Sequence, residues 1–126
     1  MKTLKIGIAE YDRMKARTMA IARGEYKPAR GEPKVWFTSV ESFAKVLSQR
    51  NRELLALIAR ERPDSITELA EMSGRNKSNL SRTLKTMARY GLVELERGRR
   101  GSLAPRTPFD RVRIDVSLNP IPEEMA

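Results

Sequence analysis

Three chain-breaking residues, Pro63, Gly74 and Gly91, divide the middle of this chain into segments that can hold only short helices. Between Pro63 and Gly74, Ser65-Ile66-Thr67-Glu68 has the capping-box pattern, in which the Ser hydroxyl and the Glu carboxylate satisfy the backbone N–H groups that a helix start leaves open. It opens a helix of about two turns with Ile66, Leu69 and Ala70 facing inward. Between Gly74 and Gly91 lies a basic helix. Asn76 or Ser78 can cap it, and Leu80, Leu84 and Met87 recur at i, i+4 and i+7 on one apolar face. Upstream, Leu54, Leu55, Leu57 and Ile58 form the buried stripe of a helix that Ser48 caps and that Pro63 ends at Arg62 or before.

The flanks are more varied. Leu4, Ile6 and Ile8 alternate as in a strand, and Tyr11 to Arg23 places Tyr11, Met14, Thr18 and Ile21 on one helical face. Gly24, Pro28, Gly31 and Pro33 mark residues 24–34 as a linker. Val35-Trp36-Phe37 is β-prone. Thr38 with Glu41 then forms a second capping box for a helix carrying Phe43, Val46 and Leu47, either separate from the helix that follows or continuous with it. Downstream, Leu92 to Arg97 alternates as a strand, and Gly98-Arg99-Arg100-Gly101 is a turn. Val112, Ile114 and Val116 read as the returning strand, with Ser102 to Asp110 as an extended loop at the tip. The expected class is mainly α with a small β component: a winged helix-turn-helix over residues 34–116, an N-terminal strand-helix extension over 1–33, and a short tail over 117–126.

Charge narrows the function. The net charge is +9, and the stretch from Arg75 to Arg113 carries 11 basic and 3 acidic residues, net +8, against net +4 for residues 1–74 and net −3 from Ile114 onward. Such concentration suits a polyanion, because Lys and Arg displace counterions condensed on phosphates. The absence of Cys and His removes thiolate and imidazole metal sites, Cys nucleophiles and Ser-His-Asp chemistry. No phosphate loop or carboxylate cluster replaces them, and Glu94 and Glu96 offer too few oxygens for a metal. The chain therefore reads as no enzyme, with no cofactor and no metal. No apolar run approaches the roughly 20 residues of a membrane span, and Met1 to Lys5 lacks a secretory stretch, so the expected location is cytoplasmic, with no membrane partner.

A two-turn helix, a tight turn, a basic helix and a two-stranded ribbon follow one another in the order of a winged helix-turn-helix. There the second helix of the pair enters the major groove of double-stranded DNA. Its candidate contacts are Asn76, Lys77, Ser78, Asn79, Ser81, Arg82, Lys85 and Arg89. Asn pairs bidentately with adenine and Arg with guanine, which makes Asn79 and Arg82 the base-reading candidates; Ser and Lys suit phosphates. Arg97, Arg99, Arg100 and Arg106 are placed in or beside the wing tip, against backbone or minor groove. The competing readings are an ordinary solvated helix face and a charged hairpin that resists edge pairing. Trp36, Phe37, Met14, Met19, Met72 and Met87 read as packing residues.

Ser65-Ile66-Thr67-Glu68-Leu69-Ala70 with Gly74, then Asn79-Leu80-Ser81-Arg82-Thr83-Leu84 and Tyr90-Gly91-Leu92-Val93, resemble MarR/ArsR-type winged-helix regulators over about residues 51–116. With Ile21-Ala22-Arg23-Gly24-Glu25 and Trp36-Phe37-Thr38-Ser39, the whole chain resembles small DNA-binding proteins encoded beside TumE-type toxins. That resemblance implies an antitoxin that neutralises a toxin protein and represses its own operon. Nothing after the second wing strand matches the long dimerisation helix of MarR proteins. Palindromic recognition calls for a homodimer, so the expectation is that the first 47 residues, with Leu4, Ile6, Ile8, Tyr11, Met14 and Ile21, form the dimer and receive the partner.

Overall fold

A computed structural model describes residues 2–118. The chain is mainly α with a β component: β1 (Thr3–Ile8), α1 (Tyr11–Ala22), β2 (Val35–Phe37), α2 (Val40–Val46), α3 (Gln49–Glu61), α4 (Ile66–Ser73), α5 (Lys77–Arg89), β3 (Glu94–Arg97), β4 (Leu103–Arg106) and β5 (Arg111–Val116). None of the described helices is long and apolar enough to cross a membrane. The residues form two compact units. One takes Lys2 and Ala44–Asp110; the other joins Thr3–Phe43 to the strand that begins at Arg111.

These units do not follow the boundaries at residues 33 and 116 expected from the sequence. β1 is no free extension but the centre of a three-stranded parallel sheet ordered β2-β1-β5, in which Thr3 pairs with Arg111 and Ile8 with both Val116 and Phe37. Of the residues assigned to a dimer contact, Leu4 and Ile6 are buried inside the unit, Ile8, Met14 and Ile21 are half-buried, and Tyr11 is exposed. Trp36 lies across Gly7, where any Cβ would run into the indole ring, and the Arg17 guanidinium sits 5.2 Å from that ring's centroid. Arg17 also pairs with Glu32 at 2.9 Å, and the Tyr26 hydroxyl bonds the same carboxylate. Phe37 is buried and meets Phe43 edge to face at 5.4 Å. Ser39, not Thr38, caps α2: its hydroxyl accepts from the Ser42 N–H at 3.0 Å.

The other unit holds the larger core, made of Leu54 and Ile58 from α3, Leu69 from α4, Leu80, Leu84 and Met87 from α5, then Leu92, Val93 and Ala104. Each of these side chains larger than alanine contributes about 1.5–3 kcal/mol by leaving water. Met19 and Met72, expected in packing, are exposed instead. Two separate helices, α2 and α3, precede the Pro63 break, and Ser48 caps the second by accepting from the Asn51 N–H. α3 ends with Arg62 in the left-handed region, immediately before buried Pro63.

The ribbon departs from its expected form. β3 pairs antiparallel with β4, with Glu94 opposite Arg106 and Arg97 opposite Leu103, while the strand of Val112, Ile114 and Val116 joins β1 in the other unit. β4 lies within the stretch expected as an extended tip loop, and it contains Pro105. Among the described residues the ribbon has two strands and the outer side of β4 has no ladder, so a residue lacking an N–H is accommodated there. The tip is correspondingly short. Arg100 (φ 56°) and Gly101 (φ 76°) are both left-handed, and Ser102 N–H donates to the Arg99 carbonyl at 3.1 Å, the geometry of a type I′ turn.

Candidate nucleic-acid interface

The α4–α5 pair is built from local cap chemistry. The Ser65 hydroxyl accepts from the Glu68 N–H at 3.0 Å, and Glu68 answers by accepting from the Asp64 N–H at 3.4 Å. Gly74 stops α4 at φ 71°, a conformation that costs a residue with a Cβ about 1 kcal/mol, and donates to the Ala70 carbonyl. Two residues later Asn76 caps α5. Its side-chain oxygen accepts from both Ser78 and Asn79 N–H groups, at 2.9 and 3.2 Å. That oxygen is therefore committed to holding the helix start.

The two sides of α5 differ in kind. Leu80, Leu84 and Met87 are fully buried. On the other side Lys77, Ser78, Asn79, Arg82, Lys85 and Arg89 are exposed, and Ser81 is half-buried. Ser78, Arg82, Lys85 and Arg89 follow one another at helical spacing, forming a stripe along the outer face. No Asp or Glu occurs between Lys77 and Arg89, and none of the four cations on this helix pairs with a carboxylate among the described residues. With no acid in its first turn, the positive end of the helix dipole is also uncompensated.

Arg75 orients this helix, a role that sequence reading did not assign it. Its guanidinium donates to Asn51 Oδ1 at 3.2 Å and Thr83 Oγ1 at 3.5 Å, while Asn51 Nδ2 donates to the Val46 carbonyl. Burial, then the like charge of Arg50, pulls Arg75 below the ordinary arginine value. Arg50 thus lies close to the same positive region. No local signal could have exposed this link, because its partners lie on α3 and α5.

In the ribbon, Arg97, Arg99 and Arg100 are exposed as expected, with Arg99 and Arg100 in the tip itself. Arg106 is a correction. It stands at the base of the hairpin opposite Glu94, is largely buried, and donates to the Pro63 and Pro105 carbonyls, each at 2.7 Å. Its carboxylate neighbours Asp64 and Glu96 are 4.0 and 3.9 Å away. A guanidinium so placed ties the ribbon to the α3–α4 corner and is not presented to a ligand. The turn leans on the same corner: Ser102 Oγ donates to the Asp64 carbonyl at 3.2 Å, and a Cβ on Gly98 would come 2.5 Å from that oxygen.

No curated protein and no solved structure matches the chain. The model of the HVO_A0114 family matches residues 46–114, a span that takes in α3, α4, α5, the ribbon and most of β5. That is more than half of the 126 residues, and the chain accordingly belongs to the HVO_A0114 family.

Proposed function

We propose that this protein is a sequence-specific regulator of transcription that binds double-stranded DNA through a winged helix-turn-helix. In this reading α4 and α5 are the helix pair, α5 enters the major groove, and β3 and β4 form the wing. The observation that carries it is the division of α5 into a fully buried Leu80-Leu84-Met87 side and an acid-free outer side bearing Lys77, Asn79, Arg82, Lys85 and Arg89. A solvated helix with no ligand gains by mixing charge signs along its face; a uniform cationic face repels itself until phosphates neutralise it. Asn79 and Arg82 read base edges, Lys85 and Arg89 hold phosphates, and the α5 N-terminus favours an anion beside Ser78.

Arg99 and Arg100 at the ribbon tip reach the sugar-phosphate backbone or an adjacent minor groove. The protein acts as a repressor on an inverted repeat, as a homodimer whose two copies of α5 read half-sites about one helical turn apart. An antitoxin role, drawn from the sequence resemblance, is compatible with this: the toxin would be the second partner and the operon the DNA target. Selection of bound duplexes from a randomised library tests the reading. Enrichment of an inverted repeat supports it, and a pool that stays random while binding only at low salt would retire sequence-specific regulation.

A further inference from the structure

β5 stands at the edge of its sheet, paired with β1 on one side and with no strand on the other among the described residues. Such an edge offers a row of unpaired N–H and C=O groups to any incoming strand. Neither of two common blunting devices, proline and a bulge, occurs in β5, and the charges it carries, Arg111, Arg113 and Asp115, are of both signs. Its register with β1 puts Val112, Ile114 and Val116 on the face of Leu4, Ile6 and Ile8, and Arg111, Arg113 and Asp115 on the opposite face. Ile114 and Val116 are 48% and 42% exposed, high values for β-branched side chains on the apolar side of a parallel sheet.

We propose that β5 pairs antiparallel with β5 of a second copy, joining the two sheets into one of six strands about a two-fold axis at Ile114. Isologous pairing of a strand with itself must be antiparallel. The charges then choose the register. Centred on Ile114, the pairing sets Ile114 against its own copy, Val112 against Val116 twice, and Arg113 against Asp115 twice, each on its proper face. Centred on Val112 it would oppose Arg111 to Arg113; centred on Arg113 or Asp115 it would oppose that residue to itself. A shift by a half-step would bring the apolar face of one copy over the charged face of the other. The strand is thus self-complementary in one register, and this is what selects a second copy as its occupant.

The inference deepens the dimeric part of the proposed function by naming its surface, and its test contains no DNA. The mass of the full chain is followed by sedimentation over a micromolar concentration range, with circular dichroism confirming that each variant is folded. The wild type should be a dimer. Arg113→Asp, which sets Asp against Asp115 twice, should raise the dissociation constant about tenfold or more. Asp115→Arg, which sets Arg against Arg113, should do the same, and the double exchange of both residues should restore the wild-type value. A wild-type monomer, a dimer indifferent to both single exchanges, or a double exchange no tighter than the singles would overturn the proposal. So would a monomer that uses this edge only for a different protein. Failure here leaves the α5 reading to its own operator titration.

Discussion

Arg106 donates to the Pro63 carbonyl at 2.7 Å, across more than forty residues of sequence, and so fastens the foot of the β3–β4 ribbon to the corner between α3 and α4. A largely buried guanidinium bonded to two carbonyls contributes through those bonds and through the cost of leaving the acceptors bare. Arg106→Ala should lower unfolding free energy by about 1.5–3 kcal/mol. Arg106→Lys should recover little of it, because an ammonium cannot reproduce the planar fork. Thermal or urea unfolding decides this. A variant as stable as wild type but with a reduced salt dependence of DNA binding would return Arg106 to the DNA-contacting set.

Gly98 makes the same junction from the ribbon side. Its φ of −96° suits any residue, so the obstacle to a side chain is steric: the added Cβ meets the Asp64 carbonyl. Gly98→Ala should destabilise by about 1–3 kcal/mol, as overpacking against backbone does. The measurement is again the denaturation midpoint, with an unchanged midpoint meaning that the ribbon does not rest on this corner.

Asn79 and Arg82 are expected to carry base recognition. Each single change to Ala should weaken binding to the selected operator by about 1–3 kcal/mol and affect random duplex much less. Fluorescence titration with both DNAs separates the cases. Wild-type operator affinity in both variants would remove them from the base-reading role.

The wing tip makes two predictions that run in opposite directions. Replacing Arg99 and Arg100 by Ala should weaken binding to all sequences and reduce the slope of log K against log salt by roughly one unit for each lost phosphate contact. Arg100→Gly should, by contrast, raise stability by up to about 1 kcal/mol, since Arg100 occupies the left-handed region at φ 56° where glycine is not penalised. Its DNA affinity should still fall. Stability and affinity that fall together would mean that the Arg100 side chain packs within the protein.

Those elements whose cause is local were legible in the amino-acid order alone. Ser65, Gly74, Asn76 and Gly91 delimit α4 and α5 because a cap or a breaker acts within one turn of itself, and the 3.6-residue recurrence of Leu80, Leu84 and Met87 already separates the buried side of α5 from its basic side. Strand partnership is different in kind. Alternation at Val112, Ile114 and Val116 marks a strand without saying whom it pairs with, and the nearer partner, β3, went instead to a segment whose Pro105 had disguised it. The same holds for Arg75 and Arg106, alike in sequence to the arginines of α5 and the turn, but withdrawn by Asn51, Thr83 and Pro63. Residue type alone gives an arginine its charge; whether that charge faces solvent or a carbonyl depends on which distant segments the packed chain brings beside it, and only the tertiary structure decides that.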